Sequence, residues 1–268
     1  MQLTYRDGEG VSLHAEVVGS GDERPLVLLH AGGPDHHSLL PLADRLSDRY
    51  TVILPDVRGY GRSVCRDPQC HTWRQYAEDV KDLADHLGLS SITLGGAGLG
   101  STITARAAIA FPWLVSAAIL MGVEDIQDDA AVHAEVEFLD AFAERVTTDG
   151  IEAAWAPILA AMPPVVGAMV RDAIPRSDQA SIAAAAAIGR DRSFRDVAEL
   201  AEIAAPTLIF AGTDPRHPTA LAERVAATIP HATLAAATVS DELHSPEELA
   251  ESFAPEIRKF LETLTRPA

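Results

Sequence analysis

Residues 94–101 of the chain read L-G-G-A-G-L-G-S and directly follow an apolar run that suits a buried strand. The stretch has the layout of a nucleophile elbow, G-x-S-x-G, in which a sharp strand-to-helix turn lifts one side chain above a sheet. Gly96 and Gly100 take the two flanking positions, and Gly98 stands where the motif has its serine. The turn is therefore predicted without the hydroxyl that acyl-serine chemistry requires.

Glycine-rich turns of this kind also occur in phosphate-binding loops, but the spacing here does not fit them. The dinucleotide fingerprint G-x-G-x-x-G fails because its last position is Ser101, and the Lys-Ser/Thr pair of a P-loop is absent. The histidines are dispersed along the sequence and do not show metal-ligand spacing. We therefore expect no cofactor and no metal.

Apolar runs and amphipathic segments alternate along most of the chain. Strands are predicted at residues 2–6, 11–18, 25–30, 50–54, 91–95, 115–121, 206–211 and 232–237, and helices at 38–47, 72–87, 99–111, 218–229 and 245–264. This alternation predicts an α/β fold with a mostly parallel central sheet and helices on both faces. Residues 126–203 have a helical pattern broken by prolines, and we interpret them as a helical cap. The core domain would then comprise residues 1–125 and 204–268.

Three further segments resemble the α/β-hydrolase superfamily. L-L-H-A-G-G-P at residues 28–34 resembles the oxyanion loop of that family, and P-D-V-R-G-Y-G-R-S at 55–63 resembles its P-D-x-R-G-x-G-x-S segment. P-T-L-I-F-A-G-T-D at 206–214 resembles the strand that delivers the triad acid, with Asp214 as the match. Pro112 stands fourteen residues beyond Gly98, the spacing usual in the family. The resemblance covers the whole chain and implies the α/β-hydrolase fold.

The family's catalytic histidine is not found at its usual place. It would fall on residues 239–241, which are Val-Ser-Asp. His244 lies close by and is a candidate for a relocated base. The alternative is that it is a structural residue beside the capping box formed by Ser245 and Glu248. Gly98 is either natural or an inactivating replacement of a serine. Since the histidine is missing from its usual position too, we favour a natural loss.

The resemblance implies an oxyanion hole from the backbone N–H groups of Leu99 and Gly32, with Gly33 beside them. His36 and His37 follow this loop and are candidate acid–base groups, the alternative being that both face solvent at a helix start. Asp214 is a further candidate, either as a base or as a group that binds an amine or hydroxyl of the substrate.

Other residues are candidates by position alone. Glu124 and Asp125 follow the predicted strand 115–121, at the sheet edge where such folds bind ligands. We favour a surface charge for both residues, and we keep Glu124 as a candidate for substrate binding. Trp155, Met162 and Met169 are interpreted as packing residues of the cap.

Composition and charge limit the partners. The chain has 268 residues and a formal net charge of −18 at pH 7, which disfavours nucleic acid and anionic membranes. It lacks a run of about twenty apolar residues, so we expect no membrane span. We expect no secretory signal, and the two cysteines are too few for a disulfide framework. These features predict a cytoplasmic protein with a small-molecule substrate, and a homodimer is compatible with them.

Three functional hypotheses follow. The first is an enzyme that uses an oxyanion hole and non-covalent acid–base steps on a small or mid-sized carbonyl compound. Its reaction would be that of a lyase, an isomerase or epimerase, or a hydrolase in which water attacks directly. The second is a hydrolase or esterase with a relocated or mutated triad. The third is a binding protein without catalysis.

Overall fold

A central sheet of eight strands organises the computed structural model, which describes residues 1–21, 23–124, 126 and 129–265. The strands are β1 Gln2–Arg6, β2 Ser12–Val18, β3 Glu23–Leu29, β4 Tyr50–Pro55, β5 Ile92–Ala97, β6 Val115–Met121, β7 Thr207–Gly212 and β8 Ala232–Val239. Their spatial order is β1-β2-β4-β3-β5-β6-β7-β8. Strand β2 pairs antiparallel with β1 and β4, and every pairing from β4 to β8 is parallel.

Nine α-helices fall within the described residues. They are α1 Leu40–Leu46, α2 Trp73–His86, α3 Leu99–Ala110, α4 Asp129–Asp149, α5 Ile151–Leu159, α6 Pro164–Ala173, α7 Gln179–Ala185, α8 Thr219–Thr228 and α9 Pro246–Thr265. Five short 3₁₀ helices connect them, at His36–Leu39, Pro68–Cys70, Ile174–Arg176, Ala186–Arg190 and Val197–Glu202.

Helices cover both faces of the sheet and bury its central strands. On one face, Leu42 of α1 and Phe253 of α9 pack into one hydrophobic cluster. On the other, Val80 of α2, Ile103 of α3 and Val225 of α8 pack into a second cluster. A strand buried on both faces needs apolar residues at successive positions, which explains the continuous apolar runs in the sequence. The predicted α/β-hydrolase fold is confirmed, and all eight strands lie within two residues of their predicted positions.

The stretch between β6 and β7 is helical in the structure. Helices α4, α5 and α7 form a small hydrophobic cluster of their own, which includes Phe142, Ile151 and Ile182. A single parallel bridge joins Ile126 to Phe194 in this stretch. The helical pattern agrees with the predicted insertion, and the cap with its boundaries stays a prediction. Among the helices formed by described residues, none is long and apolar enough to cross a membrane.

Candidate active site

The turn between β5 and α3 has the sharp geometry that the sequence predicts. Gly98 has φ +49° and ψ −115°, in the left-handed half of the map that glycine tolerates best. A Cβ on Gly96 would lie 2.2 Å from the carbonyl carbon of Gly100, and one on Gly100 would lie 2.5 Å from the Leu29 carbonyl oxygen. The backbones of β5, α3 and the end of β3 therefore approach too closely for side chains at these two positions.

A cavity of about 190 Å³ lies above Gly98, between the carboxyl ends of the strands and helices α4 to α7. Most of its lining is apolar, including Leu99, Met121, Phe138, Trp155, Met162 and Met169. Its charged lining includes Glu124, Glu135, Asp191, Arg192, Arg216 and His217. Such a cavity suits a largely apolar small molecule that is oriented by a few polar groups at one end.

The imidazole of His217 lies next to the position that the missing serine side chain would occupy. A Cβ built on Gly98 would lie 3.5 Å from His217 Nε2 and 3.3 Å from Glu124 Oε1. His217 Nδ1 is 3.0 Å from Asp214 Oδ2, and His217 Nε2 is 3.1 Å from Glu124 Oε2. The imidazole is thus held between two carboxylates, directly beside the elbow.

The loop after β7 positions this histidine through the side chain of Asp214. Asp214 Oδ1 accepts hydrogen bonds from the backbone N–H groups of Arg216, at 2.9 Å, and His217, at 3.1 Å. A short aspartate that bonds the backbone two or three residues later is a common turn device. Glycines make room for the ring, because a Cβ would come within 3.3 Å of His217 Cδ2 at Gly122 and 2.5 Å of its Cβ at Gly212.

The charges of His217, Glu124 and Asp214 stabilise one another. Burial opposes the protonated form of His217, but Glu124 and Asp214 outweigh it and raise the pKa of the imidazole to about 10. Burial also opposes the ionised form of Glu124, yet Arg216 and His217 hold the pKa of its carboxyl well below the ordinary value. Burial opposes the ionised form of Asp214, but the hydrogen bond and charge of His217 and the backbone N–H groups of Arg216 and His217 together lower the pKa of this carboxyl. At neutral pH the site holds an imidazolium between two carboxylates.

Arg216 links the sheet edge to the helical stretch above it. Its Nε lies 2.8 Å from Glu124 Oε2, and its Nη2 lies 2.5 Å from Glu135 Oε1 on α4. The guanidinium also stands 5.9 Å from the ring centroid of Phe138. One side chain therefore joins the carboxylate of the site to the element that closes the cavity.

The residues predicted for the oxyanion hole lie together. Leu99 is the first residue of α3, so its N–H has no partner within its own helix. A Cβ on Gly32 would lie 3.8 Å from Leu99 Cβ, which places the loop after β3 against the start of α3. Gly32, Gly98, Leu99 and Glu124 all line the cavity.

The structure places Glu124 and Trp155 differently from the interpretations that we favoured. Glu124 is only 7% exposed, so the surface charge that we favoured is wrong for this residue. Trp155, Met162 and Met169 line the cavity and are not confined to packing within the helices. Gly33 lies beside Trp155, since a Cβ on it would meet the indole Cζ2 at 2.6 Å. Asp125 lies outside the described residues.

The three other predicted histidines are not among the residues that line the cavity. The ring nitrogens of His36 lie 2.7 Å from Asp56 Oδ1 and 3.2 Å from Glu16 Oε2, and the side chain is buried. His37 is half-exposed, with Nδ1 3.1 Å from Asp35 Oδ1. His244 is exposed beside the capping box, where its N–H donates to Glu248 Oε2 at 2.7 Å. Their carboxylate partners do not line the cavity either.

The folded chain does bring some dispersed histidines together. Ligand atoms of His14, His36 and Asp56 lie within 4.8 Å of one another, as do those of Asp35, His36 and His37. The first group is already engaged by neighbours, with His14 Nε2 3.3 Å from a guanidinium nitrogen of Arg62. That positive charge disfavours a cation there.

His217 lines the cavity beside Gly98 and was not singled out from the sequence. It stands three residues after Asp214, in the stretch Asp-Pro-Arg-His at 214–217. A search for the family's histidine near the C-terminal helix does not include this loop. A histidine within one turn of the predicted triad acid was the available signal.

Comparison with curated proteins finds relatives that match part of the chain. The proline iminopeptidase of Lactobacillus acidophilus is 33% identical over 99 residues, which are 35% of this chain and 34% of that protein. The 2-(acetamidomethylene)succinate hydrolase of Mesorhizobium japonicum is 32% identical over 137 residues, which are 51% of this chain and 45% of that protein. The matched stretches span less than half of the length of these relatives.

Solved structures match nearly the whole chain. An esterase from Thermogutta terrifontis has a TM-score of 0.82 at 24% identity, covering 99% of this chain and 100% of that chain. The enol-lactonase from Burkholderia xenovorans LB400 has a TM-score of 0.79 at 21% identity, covering 97% and 100%. At these identities the similarity shows the fold alone.

The family comparison covers the elbow and both loops that contribute to the site. A family model described as alpha/beta hydrolase fold matches residues 24–242. This range holds the turn at Gly98, the loop after β3 and the loop that carries Asp214 and His217. The chain therefore belongs to the alpha/beta hydrolase fold family.

Proposed function

We propose that this protein is an enzyme that binds a small carbonyl compound above Gly98 and catalyses its reaction by non-covalent proton transfer. Its oxyanion hole, formed by the N–H groups of Leu99 and Gly32, would hold the carbonyl oxygen. His217 would donate a proton and Glu124 would accept one. No acyl-enzyme forms, because the elbow carries no hydroxyl or thiol.

One observation carries the proposal: His217 Nε2 and Glu124 Oε1 both lie within 3.5 Å of the point where a Cβ on Gly98 would stand. The space that a nucleophile would fill is therefore bordered by an acid and a base. A reacting atom held there is within reach of both groups, which is the geometry that general acid–base catalysis needs.

The protonation states assign the two roles. His217, with a pKa of about 10, holds its proton at neutral pH and can give it to a developing oxyanion or leaving group. Glu124 is ionised and can take a proton from carbon or from water. When His217 loses its proton, the positive charge that keeps Glu124 weakly basic disappears, and the carboxylate becomes a better base.

Two kinds of reaction use these roles. Glu124 removes a proton next to the carbonyl, as in a lyase or an isomerase, and the oxyanion hole stabilises the enolate. Alternatively, Glu124 removes a proton from water that attacks the carbonyl, which is hydrolysis without an acyl-enzyme. The second candidate is supported by the names of the relatives, a peptidase and a hydrolase.

The proposal is tested by assaying short acyl esters, lactones and β-keto compounds with the wild type and with His217→Gln. At least one class should be turned over by the wild type. The substitution should lower kcat about 10²- to 10⁴-fold, the usual contribution of a general acid or base. Mass spectrometry of the quenched enzyme should show no acyl adduct.

His244→Gln is the matched control, because His244 is exposed and does not line the cavity. It should leave kcat unchanged. Absence of turnover by the wild type with every class, an unchanged rate in His217→Gln, or a trapped acyl adduct would each refute the proposal.

A further inference from the structure

A second cavity, of about 790 Å³, adjoins the cavity above Gly98. Six charged residues line it in the described part of the chain: Arg106, Arg192, Arg195, Asp129, Asp191 and Glu199. We call this second cavity the arginine groove. Asp191, Arg192 and Ser193 line both cavities, so a molecule bound above Gly98 can extend into the arginine groove.

The guanidinium of Arg106 is held at the wall that the two cavities share. Arg106 lies on α3, and its Nη1 donates to the carbonyl oxygen of Ser193 at 3.2 Å. The guanidinium stands 5.4 Å from the ring centroid of Phe194, which is buried and joined to Ile126 by the parallel bridge. A guanidinium has five N–H donors, and the bond to Ser193 is the one that Arg106 makes among the described residues. Its other donors can bind a ligand.

The three carboxylates of the arginine groove already have donors. Asp129 lies 2.6 Å from Arg192. Asp191 Oδ2 accepts the N–H of Trp73, the first residue of α2, at 2.8 Å, where the start of the helix stabilises a negative charge. Glu199 Oε1 accepts a backbone N–H at 2.7 Å.

The arginines of the groove are engaged less completely than its carboxylates. The six formal charges cancel, but within the described residues neither Arg106 nor the exposed Arg195 forms an ion pair. Guanidinium groups bind carboxylates and phosphates through strong, often bidentate hydrogen bonds. A cationic ligand would instead compete with Arg192 for Asp129. The arginine groove therefore favours an anionic group.

We infer that the arginine groove binds the anionic end, an oxyanion such as a carboxylate, of an elongated substrate whose carbonyl lies above Gly98. Arg106 stands seven residues after Leu99 on α3, which is about 10 Å along the helix axis. The anionic group and the carbonyl are therefore about 10 Å apart, with an apolar chain between them. The inference rests on the proposed function, because it takes the carbonyl site from it.

The test uses three probes that differ at one end of the same chain. They are 9-oxodecanoate, with a carboxylate; 2-decanone, with a methyl group; and 10-aminodecan-2-one, with an ammonium group. Isothermal titration calorimetry gives the Kd of each. 9-Oxodecanoate should bind about tenfold more tightly than 2-decanone, the gain expected for a charge-assisted hydrogen bond. Added salt should reduce this gain, and the ammonium compound should bind more weakly than the carboxylate.

Arg106→Gln removes the charge and keeps a polar side chain. It should weaken 9-oxodecanoate binding about tenfold and change the Kd of 2-decanone less than about twofold. Arg195→Gln should weaken 9-oxodecanoate binding about two- to fivefold, because Arg195 is exposed. Arg224→Gln is the control, since it removes an exposed arginine that lines neither cavity. It should change neither Kd.

Inorganic phosphate distinguishes an anion carried by the substrate from a free anion. It should compete with 9-oxodecanoate and leave the binding of 2-decanone unchanged. If phosphate binds and is lost in Arg106→Gln, but 9-oxodecanoate binds no more tightly than 2-decanone, the groove takes a free anion and the inference is wrong.

Three other results would overturn the inference: no binding of 9-oxodecanoate, tighter binding of 10-aminodecan-2-one, or an unchanged Kd of 9-oxodecanoate in Arg106→Gln. If Arg106→Gln does not fold, Arg195→Gln and the three probes on the wild type still decide. The readout is binding and not turnover. A failure here is therefore separate from a failure of the proposed function, which is judged by the rate of His217→Gln.

Discussion

At the scale of single residues, Gly98 and His217 have to be considered together. The glycine removes a nucleophile but keeps the elbow conformation, at φ +49°. The histidine comes from the loop after β7 and reaches the space left open, with Asp214 behind it. The Asp214–His217 pair therefore faces the space beside Gly98. A side chain added at residue 98 would contact the imidazole.

Gly98→Ser is expected to create a nucleophile. A Cβ at this position would lie 3.5 Å from His217 Nε2, so a serine Oγ would come within hydrogen-bond reach. Stopped-flow assays with 4-nitrophenyl acetate should show a burst of nitrophenol and an acetyl adduct. The burst rate should increase as the pH rises toward about 10, because His217 acts as a base only after losing its proton.

Gly98→Ala is the matched control for this experiment. It adds the same Cβ and the same backbone strain, about 1–3 kcal/mol for a non-glycine residue in a sparsely populated region, but no hydroxyl. It should give no burst. A Gly98→Ser protein that folds and shows neither burst nor adduct would mean that His217 cannot activate a group at the elbow.

The raised pKa of His217 also predicts how stability depends on pH. Its folded pKa of about 10 exceeds the ordinary value of 6.5, so the folded state binds this proton more tightly than the unfolded state. The stabilisation is complete below the ordinary pKa and is lost as the pH rises through the folded one. Urea unfolding should therefore show wild-type stability falling between neutral pH and about pH 10 by a few kcal/mol.

His217→Gln should remove most of this fall, because Glu124 and Asp214, whose pKa values are lowered, do not titrate between neutral pH and pH 10. Comparing the slopes of the two proteins cancels the contribution of other groups that titrate at high pH. If the stabilities of the two proteins fall in parallel over this pH range, His217 does not hold its proton as described.

At the scale of elements, the elbow depends on close packing between β5, α3 and the end of β3. Gly100→Ala should destabilise the protein by about 2 kcal/mol, the typical cost of overpacking. The added Cβ would lie 2.5 Å from the Leu29 carbonyl oxygen, a backbone atom that cannot rotate away. Thermal and urea unfolding measure the effect.

Gly8→Ala is the control for this substitution. A Cβ on Gly8 meets nothing within 4 Å, so the change should stay within about 0.5 kcal/mol. Equal effects of the two substitutions would show that the contact with Leu29 does not limit residue 100.

At the scale of the whole molecule, a buried ion cluster joins three distant parts of the chain. Arg58, in the loop after β4, lies 2.6 Å from Asp7, which follows β1, and 2.5 Å from Asp79 on α2. All three side chains are at most 9% exposed. The cluster thus fixes one edge of the sheet against the helix that covers it.

Arg58→Met should lower the free energy of unfolding by about 3–5 kcal/mol, because it leaves two buried carboxylates without their partner. Arg74→Met is the control. Arg74 pairs with Glu78 on the same helix and is 84% exposed, so its loss should leave the free energy of unfolding nearly unchanged. Similar unfolding energies for both variants would show that the cluster does not stabilise the fold.

Much of the architecture was determined by the sequence alone. Apolar runs with a strand-like length, helical spacing and glycine-rich turns act over a few residues, so the strands, the helices and the elbow could be predicted locally. The resemblance to the α/β-hydrolase superfamily singled out Asp214, Leu99 and Gly32, because the motifs of that family have fixed positions in the chain.

Only the tertiary structure decided which titratable side chains meet at the elbow. His36 and His37 are near the site in sequence but face Asp56 and Asp35, whereas His217 and Glu124 come from separate strand ends and converge beside Gly98. The direction of a side chain depends on which carboxylates and glycines surround it after folding. Asp56 is distant in the chain from His36, as Glu124 is from His217, so no local pattern reports these pairs.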